Sequence, residues 1–288
     1  MKKKVYVSIT PNSGSQGGGS NSFAWNLQQY LMKNKIPVTK YMFCCSIAII
    51  IAHRVNLMAL RGVKARGCFI IHRVDEDFGE VKELTRKHKK IIKVNKLADK
   101  TVFQSEFVKN DLMHHLCAKD WTIILNGADP AVFTYQRDGG EYIGHVTNGV
   151  GYKKRLDLLE QTIREYRKEQ FLLVGNHNKS SIDFTQYDNV KMIGAVAKHE
   201  LCYWHKQMKC LYFPSERDPC PNTVVEAILS GVPICYNKIG GTKEIVKDCG
   251  LPLDQFNELL GQLSMYRERC SHRQDLYFDS VAKLYLSL

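Results

Sequence analysis

Two carboxylates stand out in the segment Phe213–Val246, where a strand-like run is followed by a proline-rich loop and a helical pattern. Asp218 lies in the loop, and Glu226 follows after seven intervening residues, near the start of a helix that Asn222 can cap. A helix start offers unpaired backbone N–H groups and a positive dipole end that suit a diphosphate, and flanking carboxylates can accept hydrogen bonds from sugar hydroxyls. Acidic residues are also common at helix starts for electrostatic reasons alone, so the surrounding residues must show whether these two acids form a binding site.

Strands alternate with helices through the second half of the chain, which predicts a parallel α/β domain around these carboxylates. Gly231 is expected to end the helix that carries Glu226. The strands predicted from apolar runs are 142–146, 171–174, 190–193, 210–213 and 233–236. The helices predicted between them are 156–169, 199–206, 223–229 and 242–246, and 253–288 has a helical pattern in two pieces.

The first half shows the same alternation and predicts another doubly wound sheet. A strand over Val5–Ile9 is followed by a glycine-rich turn through Gly17–Gly19 and by a helix that Ser20 or Asn21 can cap. Further strands are predicted at 43–51, 68–72, 101–104 and 122–125. The turn-rich stretch Asn126–Gly140 predicts an interdomain connection.

The ordered motif around the two acids resembles the donor site of retaining glycosyltransferases with the GT-B fold, of the family-4 type (glycosyl transferases group 1). The residues that match the pattern are Asp218, Glu226, Ala227, Gly231, Pro233, Gly240, Gly241 and Glu244. The first acid is Asp here instead of the usual Glu, which shortens its reach by a methylene. The resemblance implies that Asp218 lies beside the transferred sugar, with Glu216 as the alternative, and that Glu226 binds the nucleotide ribose.

The remaining donor-site residues follow from the same resemblance. The segment VTNGVGYKKRLDLL, Val146–Leu159, is similar to the family's strand, loop and lysine-bearing helix start, and Lys154 aligns best with the lysine that holds the donor diphosphate. Lys153 and Arg155 leave that alignment open, and a solvent-exposed basic turn is the alternative. The other donor-binding residues that the resemblance implies are Asn148, Gly149, Arg155, Gly175, Asn176, Pro221, Asn222 and Thr223.

In the first half, GGGSN over Gly17–Asn21 resembles the family's glycine-rich loop facing the interdomain cleft, with Gly18 and Gly19 as donor contacts. It lacks the order of a dinucleotide-binding GxGxxG motif and the lysine of a Walker loop. The segment FIIHRVDE resembles the one that presents a histidine to the cleft, which makes His72 a candidate contact to the transferred sugar. A histidine satisfied by hydrogen bonds at a strand end is the alternative.

The resemblance implies an α/β chain of the GT-B fold, in which two Rossmann-like domains face a cleft and the N-terminal domain is compressed. We expect the domains over residues 1–135 and 136–265, with a C-terminal helix in 266–288 packing back toward the first. The implied enzyme is a hexosyltransferase-type glycosyltransferase (EC 2.4) that moves a sugar from a nucleoside-diphosphate donor to an acceptor hydroxyl with retention. No cofactor or metal is expected, since the nucleotide sugar is the donor substrate and no DxD-type motif lies near the donor site.

Two other functions fit parts of the sequence. A short N-terminal domain also fits a catalytically silent module that binds a nucleotide sugar or an anionic surface. A sugar-nucleotide epimerase shares the fold, but the Asp218 and Glu226 pattern speaks against it. The expected partners are a nucleotide sugar and an acceptor glycan, lipid or protein hydroxyl.

The net charge of +12 is concentrated in Lys82–Lys100, which holds eight Lys or Arg against Glu83 and Asp99. Apolar residues recur at helical spacing from Val81, which predicts an amphipathic helix with one basic face. Such a face is compatible with simple solvation, or with attraction to an anionic membrane or an acidic acceptor. Nucleic acid is not an expected partner.

The apolar stretch Ile47–Ala52 is too short to span a bilayer and predicts a buried strand. No signal peptide pattern follows Met1, so we expect a cytoplasmic protein, with a peripheral position at a membrane surface if the basic face binds lipid. The ten cysteines are scattered without a CxxC pair, which predicts reduced thiols.

Overall fold

The structure is a computed structural model of the chain that describes residues 4–11, 18–79 and 83–288. The chain forms two compact units. Unit 1 comprises Met1–Asn126 with Phe278–Leu288, and unit 2 comprises Gly127–Tyr277. The domain boundaries expected after residues 135 and 265 stay a prediction.

Unit 1 contains a parallel sheet with helices between its strands. In the described part of this unit, the strands are β1 (Val5–Val7), β2 (Ile47–Ile51), β3 (Phe69–Val74), β4 (Lys100–Phe103) and β5 (Trp121–Ile123). The helices are α1 (Gly18–Lys33), α2 (Leu57–Ala65), α3 (Arg86–Asn95) and α4 (Glu106–Leu112). The strands lie in the order β1-β2-β3-β4-β5, and a bridge between Val5 and Val38 adds pairing on the other side of β1. The sheet therefore extends in both directions from β1, as in a doubly wound fold.

The predicted buried strand of unit 1 is confirmed at β2, whose sequence IAIII is buried from Ala48 onward. A continuous apolar run of this kind is typical of a parallel sheet covered on both faces. The strand is shorter than the predicted 43–51, because Met42–Cys44 forms a 3-10 turn and Phe43 is exposed.

Unit 2 contains a second parallel sheet. Over its described residues the strands are β6 (Tyr142–Thr147), β7 (Phe171–Gly175), β8 (Val190–Gly194), β9 (Met208–Phe213), β10 (Ile234–Tyr236) and β11 (Gly250–Pro252). The helices are α5 (Leu156–Glu165), α6 (Lys198–Lys206), α7 (Asn222–Leu229), α8 (Thr242–Val246), α9 (Phe256–Gly261) and α10 (Leu263–Cys270). The strand order is β11-β10-β9-β6-β7-β8. The order therefore reverses between β6 and β9, and in such sheets ligands bind at the carboxyl ends of the strands at this switch point.

The helix α5 ends at Glu165, four residues before the predicted end at Glu169. The Asn189 side chain binds the backbone that follows this end, because its Nδ2 donates to the Glu169 oxygen at 3.0 Å and lies 3.4 Å from the Tyr166 oxygen. These carbonyls are satisfied by a side chain instead of by a further helical turn.

Both predicted helix caps are wrong. The helix α1 already begins at Gly18, so Ser20 and Asn21 both lie inside it, and the Ser20 hydroxyl donates a hydrogen bond to Asp75. The helix α7 begins after Pro221 as predicted, but Asn222 is its first residue, and the N-cap Pro221 provides no side-chain hydrogen bond. The prediction that Gly231 ends this helix is confirmed by its φ of +82°.

The last helix, α11 (Phe278–Leu286), packs on α1 within unit 1. The Phe278 and Tyr285 rings lie 5.9 and 5.0 Å from the Phe23 ring, between centroids. Unit 1 thus completes its core with residues from the end of the described chain.

The predicted amphipathic basic helix is present as α3, which Thr85 caps. His88, Ile91, Val94 and Asn95 form its buried side. Val81 and Lys82, where the predicted pattern begins, lie outside the described residues. Across residues 4–11, 18–79 and 83–288, no helix has the length and hydropathy needed to cross a bilayer.

Candidate active site

The loop between β9 and α7 places Asp218 at the carboxyl edge of the sheet in unit 2. The bridge between Asp218 and Gly240 and the hydrogen bond from the Gly241 N–H to the Asp218 oxygen, 2.9 Å, hold the loop. Gly240 has a φ of +132°, and a Cβ there would lie 3.0 Å from Asp218 backbone atoms. Only glycine meets both conditions without strain. The pair Gly240–Gly241 therefore fixes the backbone that presents Asp218.

Lys154 meets Asp218 across the switch point. Lys154 lies in the turn after β6, and its Nζ is 3.4 Å from Asp218 Oδ2. The two side chains are 31% and 21% exposed. A partly solvated pair of this kind contributes at most about 1 kcal/mol, so a ligand can open it at little cost. The structure thus brings together the sequence-predicted lysine and acid beside the start of α7.

Arg155 joins the same two loops. Its guanidinium bonds to Asp157 and lies 3.2 Å from Glu216 Oε2, while the Glu216 N–H donates to the Lys153 oxygen. Hydrogen bonding to Asp157 is the main cause that raises the pKa of Arg155. Arg155 has a φ of +47°, a backbone conformation that costs a non-glycine residue about 1 kcal/mol. Glu216, the alternative acid, is therefore engaged by Arg155, and Asp218 is the acid beside Lys154.

The ends of β6 and β7 form the other wall of the site. Gly175 has a φ of +116°, and a Cβ there would lie 1.9 Å from the Thr147 oxygen. The Asn176 N–H donates to the Thr147 oxygen, and its side-chain Nδ2 donates to the Asn148 oxygen at 3.0 Å. Gly149 is exposed, with nothing within 4 Å of a Cβ placed on it. Thr147 Oγ1 also donates to the Gly149 oxygen at 2.7 Å, so the backbone of Asn148 and Gly149 is held in place by hydrogen bonds from its neighbours.

The helix start of α7 supplies backbone donors. Asn222 and Thr223 are its first two residues and are half-buried, after the buried Pro221. The first N–H groups of a helix have no partner within it, and they point at the position that an anion would take.

Glu226 lies one turn further along α7 and is 5% exposed. Its Oε1 is 2.8 Å from the Nζ of Lys198, the first residue of α6. Burial raises the pKa of Glu226, and the charge of Lys198 opposes this shift. Lys198 was not among the residues predicted from the sequence, because no local spacing connects it with Glu226.

A buried histidine pair joins β6, which contains His145, to the turn after β7, which contains His177. His145 Nδ1 is 2.6 Å from His177 Nε2, and both side chains are at most 1% exposed. Burial lowers the pKa of His145 well below its usual range and that of His177 to about 4, so both rings are neutral at pH 7. Among the described residues no three His, Cys, Asp or Glu side chains gather in a group that could hold a metal ion.

Of the candidate residues in unit 1, Gly18 and Gly19 form the exposed start of α1, with a φ of +70° at Gly18. Gly17 and the rest of 12–17 lie outside the described residues. The structure therefore places these two glycines at a helix start, and their contact with the donor stays a prediction.

His72 is buried with both ring nitrogens engaged. Nε2 lies 2.9 Å from the Ala52 oxygen and Nδ1 lies 3.2 Å from Asn95 Nδ2. Burial lowers the pKa of His72 to about 4. Both ring nitrogens therefore have partners within unit 1, as the alternative of a histidine satisfied by hydrogen bonds expects, and the contact with the transferred sugar stays a prediction.

Known proteins resemble this chain in part of its sequence and in its whole fold. Residues 140–259 match the family described as glycosyl transferases group 1. No curated protein sequence matches the chain. The matched range contains the candidate donor-site residues of unit 2, from Asn148 to Glu226.

Solved structures share the fold over nearly the full length. Sucrose-phosphate synthase from Thermosynechococcus elongatus superposes with a TM-score of 0.73 and 14% identity, covering 99% of this chain and 98% of that one. Anabaena Alr3699/HepE in complex with UDP-glucose superposes with a TM-score of 0.71 and 14% identity, covering 99% of this chain and 100% of that one. The lipopolysaccharide outer core galactosyltransferase WaaB superposes with a TM-score of 0.66 and 13% identity, covering 99% of this chain and 100% of that one. The chain therefore has the fold of these glycosyltransferases, with two Rossmann-like sheets of the GT-B type. Residues 140–259 carry the match to the glycosyl transferases group 1 family.

Proposed function

We propose that this protein transfers a hexosyl group from a nucleoside-diphosphate sugar to an acceptor hydroxyl, with retention at the anomeric carbon. The observation that carries the proposal is the 3.4 Å approach of Lys154 to Asp218 at the switch point of the sheet, beside the start of α7. A cation and a helix start together suit a diphosphate. The donor class is supported by the family match of residues 140–259 and by the UDP-glucose complex of the structurally similar HepE.

Each side chain has a role in this proposal. Lys154 and the N–H groups of Asn222 and Thr223 hold the diphosphate and neutralise the charge that develops as it leaves. Glu226 accepts hydrogen bonds from the ribose hydroxyls, and Asp218 orients the sugar. The bond between the anomeric carbon and the diphosphate oxygen breaks with its electrons going to that oxygen. The acceptor oxygen attacks from the same face, and its proton passes to the departing diphosphate.

Donor turnover tests this function. The protein is incubated with UDP-, GDP- and ADP-sugars, with alkyl glycosides or water as acceptors, and nucleoside diphosphate release is measured. NMR of the glycoside product assigns its anomeric configuration. We expect release from one donor class and a product with the donor's configuration. Absence of both donor binding and release would contradict the function, and an inverted product would contradict retention alone.

We further propose that α3 holds the protein at an anionic membrane surface. Arg86, Lys89, Lys93 and Lys96 are exposed, whereas the apolar residues of α3 face the core of unit 1. Each lysine near an anionic bilayer contributes about 1 kcal/mol of attraction at low salt. We expect co-sedimentation with phosphatidylglycerol vesicles that decreases with salt, and about tenfold or more weaker binding by Lys89→Glu/Lys93→Glu. Equal binding to phosphatidylcholine vesicles would contradict this contact.

A further inference from the structure

Lys198 forms the most deeply buried ion pair of the candidate site. Its Nζ lies 2.8 Å from Glu226 Oε1, and the two side chains are 19% and 7% exposed. The ammonium also lies 5.7 Å from the centroid of the buried Phe133 ring. Solvent and salt screen such a pair less than an exposed pair, so it constrains both side chains.

Glu226 depends on this contact because of its burial. A carboxylate removed from water without a partner is strongly destabilised and becomes protonated. Burial raises the pKa of Glu226, while the charge and the hydrogen bond of Lys198 lower it. A protonated carboxyl would place a hydroxyl donor where a ribose needs an acceptor.

We propose that Lys198 is a positioning residue for nucleotide binding: its ammonium keeps the Glu226 carboxylate ionised and oriented to accept hydrogen bonds from the ribose hydroxyls of a nucleoside diphosphate. This inference rests on the proposed donor site. Lys198 acts through Glu226 and needs no contact with the ligand.

Other charged groups around α7 do not take this role. The elements packed against α7 are α6, α8, β9 and β10. Their titratable groups include His205 and Lys206 on α6, Lys209 on β9, Tyr236 on β10, and Lys243 and Glu244 on α8. Burial lowers the pKa of His205 to about 3, so this ring is neutral. Besides burial, Lys198 is the group that shifts the pKa of Glu226.

The replacement Lys198→Met keeps the apolar stem and removes the charge. The ligand is UDP, GDP or ADP, whichever the wild type binds most tightly, and calorimetry gives its Kd from pH 5.5 to 8.5. We expect Lys198→Met to bind about tenfold more weakly at pH 6, the loss of one charge-assisted hydrogen bond. The ratio of the Lys198→Met Kd to the wild-type Kd should fall as the pH rises, because Glu226 of the variant regains its charge above its raised pKa. The ratio of the two Kd values at each pH cancels the titration of the ligand phosphate.

Deoxynucleotides separate positioning from a general structural role. The wild type should bind the 2′-deoxy or 3′-deoxy form of the ligand more weakly, because the sugar then lacks a hydroxyl that donates to the Glu226 carboxylate. At pH 6 Lys198→Met should bind the ribose and deoxyribose forms almost equally. Lys198→Arg should restore the discrimination, since it keeps the charge.

Lys209→Met is the matched control. Lys209 is 20% exposed and pairs with Glu169 in the same unit, at the opposite end of β9 from the donor loop. The Lys209→Met variant should bind the nucleoside diphosphate with the wild-type Kd at every pH. If Lys198→Met does not fold, Glu226→Gln replaces it, and weak binding with no recovery at high pH is expected.

The outcomes separate this inference from the proposed function. If the variants fold and Lys198→Met matches the wild type at pH 6 in affinity and in deoxyribose discrimination, the role of Lys198 is overturned and the donor site stands. Wild-type discrimination in Glu226→Gln overturns it as well. If the wild type binds no nucleoside diphosphate, the proposed function fails, and the inference fails with it.

Discussion

Lys154 and Lys198 each pair with one acid of the donor motif, but the two pairs differ in burial. Lys154 and Asp218 are partly solvated at 3.4 Å, whereas Lys198 and Glu226 are closer and more deeply buried. A solvated pair reorganises readily when a ligand arrives. Removing one partner of a buried pair leaves an uncompensated charge. Lys154 is therefore free to follow the diphosphate, whereas Lys198 is fixed on Glu226.

For Lys154→Met we predict a fall in kcat of about 100-fold or more, with a smaller change in KM, because the lysine acts mainly on charge that develops in the transition state. Steady-state kinetics with the active donor measures both constants. Lys153→Met is the control, since it removes the neighbouring charge and should leave kcat within about threefold of wild type. A larger effect at Lys153 than at Lys154 would reverse the alignment of the two lysines.

Residue types and their spacing predicted the two acids and Lys154 as site residues, because each belongs to a motif that is contiguous along the chain. Lys198 could not be found in this way, because its partner Glu226 lies on another helix and only packing joins them. The hydrogen-bond partners of His72 show the same limit. Its ring nitrogens lie against the Ala52 carbonyl and Asn95 of α3, which no local spacing connects with it, and its contact with the sugar stays a prediction.

At the scale of elements, the strand and helix order was predictable, whereas the element ends were not. Periodicity and the Gly and Pro positions predicted the helix between Pro221 and Gly231, and the structure confirms it. Cap prediction failed where long-range contacts decide. Ser20 donates to Asp75 at the end of β3 instead of capping α1, and Asn189 from a distant loop binds the Glu169 carbonyl, which the prediction had placed inside α5.

The junction of β6 and β7 gives a prediction at this scale. Gly175→Ala should destabilise the protein by about 2 kcal/mol or more, because a positive φ strains alanine. Its Cβ would also lie 1.9 Å from the Thr147 oxygen, so the strand ends must separate. Urea unfolding followed by circular dichroism measures the loss, and nucleotide binding should weaken as Asn148 and Gly149 shift.

Gly151→Ala provides the comparison for this change. Gly151 has a φ of −64°, and a Cβ there meets nothing within 4 Å. Its stability should stay within about 0.5 kcal/mol of the wild type. Equal stability of Gly175→Ala and Gly151→Ala would show that the β6 and β7 ends tolerate a side chain.

At the scale of the whole molecule, each unit has its own core, but unit 1 is assembled from both ends of the described chain. Phe278, Val281 and Tyr285 of α11 pack in the core of unit 1, whereas the proposed donor-site residues Lys154 and Glu226 belong to unit 2. The chain therefore completes unit 1 only after unit 2. A defect in α11 should affect the stability of unit 1 and spare the nucleotide site.

For Phe278→Ala we predict a loss of about 3 kcal/mol in the stability of unit 1, the usual cost of truncating a buried phenylalanine. Phe278 is 4% exposed and lies against Phe23 of α1. Differential scanning calorimetry should show one transition at a lower temperature. A nucleoside diphosphate at 100 times its Kd should still stabilise unit 2 by about 2.7 kcal/mol.

Leu284→Ala separates core packing from a general effect on α11, because Leu284 lies on the same helix and is 51% exposed. It should change stability by less than about 0.5 kcal/mol. The contrast follows from burial alone, since both changes remove a large apolar side chain from one helix. Phe278→Ala could instead weaken nucleotide binding by a free energy as large as its loss of stability. In that case α11 would support the donor site as well as the core of unit 1, and the independence of donor binding from α11 would be wrong.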